Sequence, residues 1–537
     1  MKNHEHKTPD GSKLQDGQAH EHHHSREIGR RDFLKNLGLV TAGSFALSGL
    51  PFQQLFAAPA VQKMLVSSQD RILVVIRLKG GNDGLNTIVP LFDYGTYATF
   101  RPSLKIPTAD LLPLNNQYAV PQFASALKSM WDSGKMRVVH NVGYDDMDLS
   151  HFVSTDIWDS ADNSNSPSKS GWLGRYLWDH NPNFITNPPA NPLAIQIGGD
   201  GNILFFNQDN LNMAMNVVDP QSLYQIAQTG SLYTVGGNAP CYYEDQLDFM
   251  KSMINSTYYQ SETIHDAYNA GSNDITYPAY DLANALSLVS RLIKGGLQTR
   301  IFMLTLDGFD THAQQDVRHP ELMAELANSV KAFYDDLQVG GKDSKVLCMT
   351  FSEFGRRVFD NGSMGTDHGT AAPLLLFGTP LAGNGFIGDD VNLSDLDSDF
   401  NLKHKIDFRQ VYSTVLQDWL CAEEITADTI LGGSYAKLGL GFNCVTGVNE
   451  PSIPNAYHQL RYQQDGTAFL FLNLPESAPI KLEVFDFTGR KIMHSPVDYF
   501  SKGLHSLPIP GFNQWPKGAY LYNLYINGKI ENGKIHR

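Results

Sequence analysis

Three apolar, β-branched runs in this chain each empty into a loop bearing glycine, aspartate or histidine. Residues 71–78 (RILVVIRL) lead into 80–87 (GGNDGLNT), and 300–306 (RIFMLTL) lead into 307–312 (DGFDTH). Residues 346–351 (VLCMTF) lead through a glycine-rich turn to the adjacent pair Asp367-His368, after which a second apolar run, 373–377, resumes. Runs without polar alternation read as strands buried on both faces, which is the habit of parallel sheets covered by helices. In open α/β sheets the site lies outside the carboxyl ends of the strands. Three such loops converging there would gather Asp83, Asp307, Asp310, His312, Asp367 and His368. Carboxylate with neutral imidazole is a ligand set for zinc, manganese or iron rather than calcium.

The rest of 61–450 supports that architecture. Further strands are expected at 137–141 and 193–198, and helices at 121–133, 280–294, 320–337 and 408–420. In 320–337, proline is expected to open the helix, and Leu322, Leu326, Val330 and Phe333 then recur at helical spacing. The alternation predicts an α/β three-layer sandwich with a mostly parallel central sheet. Composition shifts near Asn449. From about 455 to 537, short β-type runs at 467–474, 480–486, 490–494 and 519–527 are separated by glycine turns, which predicts a small all-β sandwich.

Residues 1–60 read as an export signal rather than as part of the fold. Arg30-Arg31 is followed by Asp32-Phe33-Leu34-Lys35, a modestly apolar stretch at 37–50, and a small-x-small cleavage site at Ala58-Pro59-Ala60. This is the twin-arginine pattern. The apolar stretch is too short and too polar to span a bilayer, and no transmembrane segment is expected in the mature protein. His4, His6, His20 and His22 to His24 precede the signal and are expected to leave with it. The formal charge of -15 argues against a nucleic-acid partner. Of the four cysteines, Cys348 sits inside a strand and reads as a buried thiol. Export permits a disulfide, and Cys241 with Cys444 is the expected pair.

The tail resembles the type A C-terminal sorting domain read by the type IX secretion system of Bacteroidetes. The residues that carry this are 484–490 (VFDFTGR) and Lys517-Gly518-Ala519-Tyr520, together with the lysine-bearing end. The central part resembles a family of twin-arginine-exported bacterial proteins of unknown function in the alkaline phosphatase and sulfatase superfamily. Its matching segments are 74–76 through 80–87, Ser150-His151-Phe152 with Asp156-Ile157-Trp158, 307–312, 352–357 (SEFGRR), 365–369 (GTDHG) and Asp407-Phe408-Arg409.

The resemblances imply an alkaline-phosphatase-like fold and a secreted, metal-dependent hydrolase of phosphate or related esters, acting on a small molecule or a polymer. The alternative is a catalytically inactive surface binding or scaffold protein on the same fold. Asp367 and His368 correspond to the superfamily's adjacent metal ligands, Asp83 to its first-strand aspartate, and Asp310 or Asp307 with His312 to the ligands of a second ion. The cofactor implied is zinc or manganese, as one ion or two. Ser150 is the first choice of nucleophile and Thr87 the second, with His151 as ligand or general base. No Cys-x-Pro-x-Arg sequence of the sulfatase type is present.

Other polar residues carry two readings each. Arg356 and Arg357 read as anion binders or as partners of Glu353. Asp407 reads as a ligand or a helix N-cap, His404 as a third histidine ligand or a surface residue, and Trp158 and Trp172 as core or rim residues rather than a sugar platform. The implied partners are the twin-arginine translocase and the type IX machinery. The implied location is the periplasm in transit, then the cell surface or the medium.

Overall fold

The structure is a computed structural model that describes residues 70–164, 168–182, 184, 188–198, 202–230, 232–233, 242–381, 383–442, 444, 457–462, 468–474, 477–486, 490–516, 518–527 and 529–536. The export signal, Cys241 and the junction near Asn449 lie outside the described residues.

Nine strands form the central sheet: β1 (Ile72–Lys79), β2 (Met136–Gly143), β3 (Ala194–Ile197), β4 (Ala214–Val217), β5 (Ile301–Asp307), β6 (Val346–Phe351), β7 (Ala372–Phe377), β8 (Gly385–Ile387) and β9 (Ile406–Asp407). Their order is β8-β2-β7-β6-β1-β5-β3-β4, with β9 also paired to β2. Only β7 runs against the others, antiparallel to β2 and β6. The three runs that end in Asp/His loops are therefore central neighbours, β6-β1-β5, parallel and in register along their length.

The two faces of these strands feed different cores. Ile72, Val74, Ile76 and Leu78 of β1 join one apolar cluster, while Leu73 and Val75 join the other. Each such fully buried aliphatic side chain contributes roughly 1.5–3 kcal/mol. The first cluster is covered by helices Asp281–Lys294 and Gln315–Val339 through Leu286, Val289, Leu322, Leu326 and Val330. The second is covered by helices Trp172–His180 and Phe408–Thr414 through Leu173, Tyr176, Val411 and Tyr412. This is the expected three-layer α/β arrangement with a mostly parallel sheet.

Two local expectations change. Pro320 does not open its helix, which begins at Gln315. The ring removes one N–H five residues in, but buried side-chain bonds of Gln315 and His319, described below, hold the preceding turn. The disulfide joins Cys421 to Cys444 with a Cα–Cα distance of 5.4 Å, inside the range a bridge can span, so Cys444 does not pair with Cys241. Cys348 is free and buried.

At the C-terminus, strands Tyr457–Tyr462, Ala468–Leu474 and Gly503–Ile509 form one antiparallel sheet. Ala478–Asp486, Lys491–His494, Asp498–Phe500, Ala519–Ile526 and Lys529–His536 form another. Leu470, Leu472, Leu482, Val484 and Leu524 belong to an apolar core of these strands alone.

Candidate metal centre

The site lies where the loops after β1, β5 and β6 meet. Gly80 makes the close approach possible. Its φ is +117°, and a Cβ there would lie 2.3 Å from the backbone N of Asp310. The Phe309 N–H donates to the Lys79 carbonyl at 3.0 Å, which fixes the β5 loop against the end of β1. His368 arrives on a two-residue antiparallel ladder, opposite Arg356. His151 opens the helix His151–Ser160.

Three imidazoles converge on one carboxylate. Nε2 of His368 lies 3.1 Å from Asp310 Oδ1, Nε2 of His312 lies 3.2 Å from the same oxygen, and Nε2 of His151 lies 3.3 Å from Asp310 Oδ2. The Nε2 atoms of His312 and His368 are 2.9 Å apart. Every Nδ1 faces an acceptor instead: Glu353 Oε1 at 3.1 Å from His151, Asp367 Oδ1 at 3.1 Å from His312, and the Leu149 carbonyl at 2.8 Å from His368. With a cation at the centre these acceptors take the Nδ1 proton and leave each Nε2 lone pair aimed inward, the arrangement by which second partners orient metal-binding histidines; without one, His368 Nε2 can instead donate to Asp310.

Bare lone pairs at 2.9 Å repel unless a cation or a proton lies between them. Zinc bonds of about 2.0–2.1 Å place tetrahedral donors roughly 3.3 Å apart. The donor set therefore suits a divalent cation, with His151, Asp310 and His368 as one close group and His312 Nε2 3.2 Å from Asp310 and 2.9 Å from His368. Ligand atoms of His151, Asp310 and His368 all lie within 4.8 Å of one another.

The electrostatics agree. Burial opposes ionisation of Asp310, but hydrogen bonds from Arg356 and His368 outweigh it and hold the carboxyl down at about 2. Burial lowers His368, partly offset by Asp310. The hydrogen bond to Glu353 raises His151. Arg356 is sealed in and cannot meet a substrate anion. It donates to Asp310 Oδ1 at 2.7 Å and to the carbonyls of Gly80, Gly81, Phe309 and Thr366, and does not pair with Glu353.

The structure redistributes several sequence-based assignments. Asp310, His312 and His368 come together as expected. His151 joins them as a ring facing the shared carboxylate. Asp367 stands one step out, touching His312 Nδ1 and receiving Asn361 Nδ2 at 3.2 Å. Asp83 is not part of the cluster: Arg101 Nη1 closes on its Oδ2 at 2.5 Å, and Gln315 Nε2 donates to the same oxygen. Asp307 is exposed and bound to Lys79, its register partner on β1, at 2.7 Å.

The remaining candidates also settle. Thr87 is fully buried, and its hydroxyl donates to Asn82 Oδ1 and the Asp83 carbonyl. Ser150 is exposed at the N-cap next to His151, with no capping bond from its side chain. His404 lies 3.4 Å from Asp145, away from the cluster. Asp407 is a helix N-cap in a reciprocal box with Gln410. Trp158 and Trp172 are core residues.

Sequence reasoning treated Glu353 only as a partner for arginines. Its signal was its place in the loop after β6, the same kind of position as the other acids. Gln315, which accepts from Thr311 and Thr366 at 3.0 and 2.6 Å and so ties both ligand loops to Asp83, carried no signal at all.

Among the described residues, no helix is long and apolar enough to cross a membrane. No curated protein matches the chain. Among solved structures, the chain is similar to the alkaline phosphatase from the Antarctic bacterium TAB5, with 10% identity and a TM-score of 0.27 over 59% of this chain and 94% of that one. It is also similar to a protein in the alkaline phosphatase superfamily from Vibrio parahaemolyticus (11%, 0.29, 80% and 82%). A third is the PsFucS1 sulfatase from Pseudoalteromonas sp. (9%, 0.31, 88% and 88%). Over residues 238–430, which hold Asp310, His312, Glu353, Arg356, Asp367 and His368 but neither Asp83 nor His151, the chain matches the family described as "Protein of unknown function (DUF1501)".

Proposed function

We propose that this chain is an exported, metal-dependent hydrolase of phosphate or related esters. The observation that carries the reading is the set of three imidazoles whose Nδ1 atoms are tied off and whose Nε2 atoms face Asp310. Zinc or manganese held there by His151, Asp310, His312 and His368 would supply positive charge to an ester oxygen and activate water. Glu353 and Asp367 hold the tautomers of His151 and His312, and Arg356 keeps Asp310 ionised. The side chains of Asp310, His312 and Asp367 are close to half exposed, so an ester can reach the centre from solvent. Ser150, beside His151 on the exposed side, is the available hydroxyl for attack.

The export reading completes the proposal. Residues 1–60 direct the chain to the twin-arginine translocase, 61–450 form the α/β hydrolase domain, and 455–537 present a sorting module to the type IX machinery. The protein then acts at the cell surface or in the medium.

A second reading, an inactive binding or scaffold protein, draws on one observation: Asp83 is paired with Arg101 in the core and not with the histidines. Elemental analysis of purified wild type and His368→Ala, followed by a panel of aryl phosphates and phosphodiesters, separates the two. Bound metal and turnover in the wild type, both reduced in the variant, support the hydrolase. Metal-free protein with no difference between the two favours the scaffold.

A further inference from the structure

Behind His151, several sealed polar atoms have no hydrogen-bond partner among the described residues: Oε2 of Glu353, both carboxylate oxygens of Asp159, Nε of Arg77 and Nε1 of Trp158. Glu353 and Asp159 are each only 1% exposed. They are near neighbours. Arg77 is the register partner of Phe351 across β1 and β6, Trp158 stacks on Phe351 with ring centroids 5.7 Å apart, and Glu353 follows Phe351 by two residues. Ser154 and Asp159 lie on the helix that His151 opens, and Ser154 donates to the Glu353 carbonyl. Arg77 Nη1 comes no closer than 4.0 Å to Asp159 Oδ2, beyond hydrogen-bond reach.

Buried polar groups in folded proteins are nearly always paired, with protein or with ordered water. Here the unpaired set holds donors, Arg77 and Trp158, and acceptors, Asp159 and Glu353, that do not reach one another directly. Water both donates and accepts, and settles where two to four polar partners surround it. We propose that bound water fills this pocket and joins Asp159 and Arg77 to the free oxygen of Glu353, making Asp159 a positioning residue for His151. The inference rests on the metal-centre reading above.

Oε1 of Glu353 takes His151 Nδ1 at 3.1 Å and the Gly80 N–H at 2.7 Å. With Oε2 unanchored, the carboxylate is free to rotate about its last torsion, which is intrinsically broad. Water held by Asp159 and Arg77 stops that rotation and fixes the plane of the His151 ring. The charged groups facing Asp159 are Arg77, Asp156 and Glu353. Burial, only partly offset by Arg77, pushes the Asp159 carboxyl up to about 7, which lets it offer the water a donor as well as acceptors.

Two measurements test this. A crystal structure of the metal-free protein, at a resolution that shows ordered solvent, should place water within about 3.2 Å of both Glu353 Oε2 and an Asp159 oxygen. A dry pocket with Asp159 bonded directly to Arg77 overturns the proposal. Zinc affinity by chelator competition should fall about tenfold in Asp159→Leu, as expected when a supporting partner is lost. It should stay near the wild-type value in Asp159→Asn, which keeps a donor and an acceptor. Trp158→Phe, which removes one donor with little loss of volume, serves where Asp159→Leu does not fold and should also weaken zinc. Unchanged affinity in a folded Asp159→Leu or Trp158→Phe variant overturns the positioning role. Wild-type protein that binds no zinc overturns the metal centre and with it that role, while the solvent density still decides the pocket.

Discussion

The guanidinium of Arg101 meets the carboxylate of Asp83 at 2.5 Å, with neither side chain more than 1% exposed. Burial acts to raise the Asp83 pKa, but the charge and hydrogen bond of Arg101 prevail and lower it. Arg101 also donates to the carbonyls of Val358 and Arg357, so one side chain pins the loop after β1 to the segment that leads to Asp367. Removing one member of a buried ion pair leaves an uncompensated charge, at a typical cost of about 3–5 kcal/mol. Arg101→Met should therefore destabilise the domain by that order in urea unfolding, and Asp83→Asn should cost a comparable amount, because it leaves the Arg101 charge buried without its partner. Equal small effects in both variants would mean that the pair is not sealed.

The sheet was legible because β1, β5 and β6 are buried on both faces and are dominated by apolar and β-branched residues, without the polar alternation of a half-exposed strand. The reversed direction of β7 was not, since an apolar run looks the same read either way. Asp307 and Asp310 show the limit for the site. Asp307 is the last residue of β5 and Asp310 stands three residues on, yet Asp307 faces Lys79 in solvent while Asp310 turns in to the histidines. That difference depends on Gly80 and Arg356, which are distant in sequence. Pro320 misled in the same way, because the turn before it is held by Gln315 and His319, whose partners Asp83, Thr366 and Asn82 are distant in sequence.

Gly80→Ala is expected to damage the site more than the fold. The new Cβ would collide with backbone at Asp310, not with a side chain that can swing away, and the positive φ adds strain. We expect at least about 1 kcal/mol of destabilisation and a clear loss of metal occupancy. Full occupancy by elemental analysis would show that the loop after β5 can shift without cost.

Acid stability should report Asp336, which cross-links the helices Asp281–Lys294 and Gln315–Val339. Its carboxylate accepts from Lys294 at 2.6 Å, Ser290 at 2.7 Å, Asn273 at 2.9 Å and Tyr277 at 3.0 Å. Burial opposes ionisation, but these bonds, Lys294 foremost, bring the carboxyl down to about 2. A folded pKa below the unfolded one stabilises the protein above the unfolded pKa, and the gain is lost as pH falls through the folded value. Asp336 should thus contribute roughly 2 kcal/mol above pH 4 that fades toward pH 2. Asp336→Asn should flatten that part of the stability curve. An unchanged slope would assign the acid transition to other groups.

Export should fail when Arg30 and Arg31 are both changed to lysine, because the twin-arginine translocase reads the guanidinium pair. The precursor is then expected to collect in the cytoplasm, visible by fractionation. Normal appearance outside the cell would remove the twin-arginine route from the proposal.

The adjacent residues Asp367 and His368 should separate under mutation, because they face different atoms. His368 points Nε2 into the cluster, 3.1 Å from Asp310 and 2.9 Å from His312. Asp367 meets the cluster through Nδ1 of His312, on the far side of that ring. Removing His368 takes away an inward donor, whereas removing the Asp367 charge loosens the orientation of a donor that stays. Supporting partners of metal ligands typically account for 10–100-fold in affinity. Asp367→Asn should weaken zinc by about tenfold and leave the stoichiometry intact, while His368→Ala should lower the stoichiometry itself. If both variants lose metal equally, Asp367 is a direct ligand, and the cluster must rearrange around the ion so that His312 no longer stands between them.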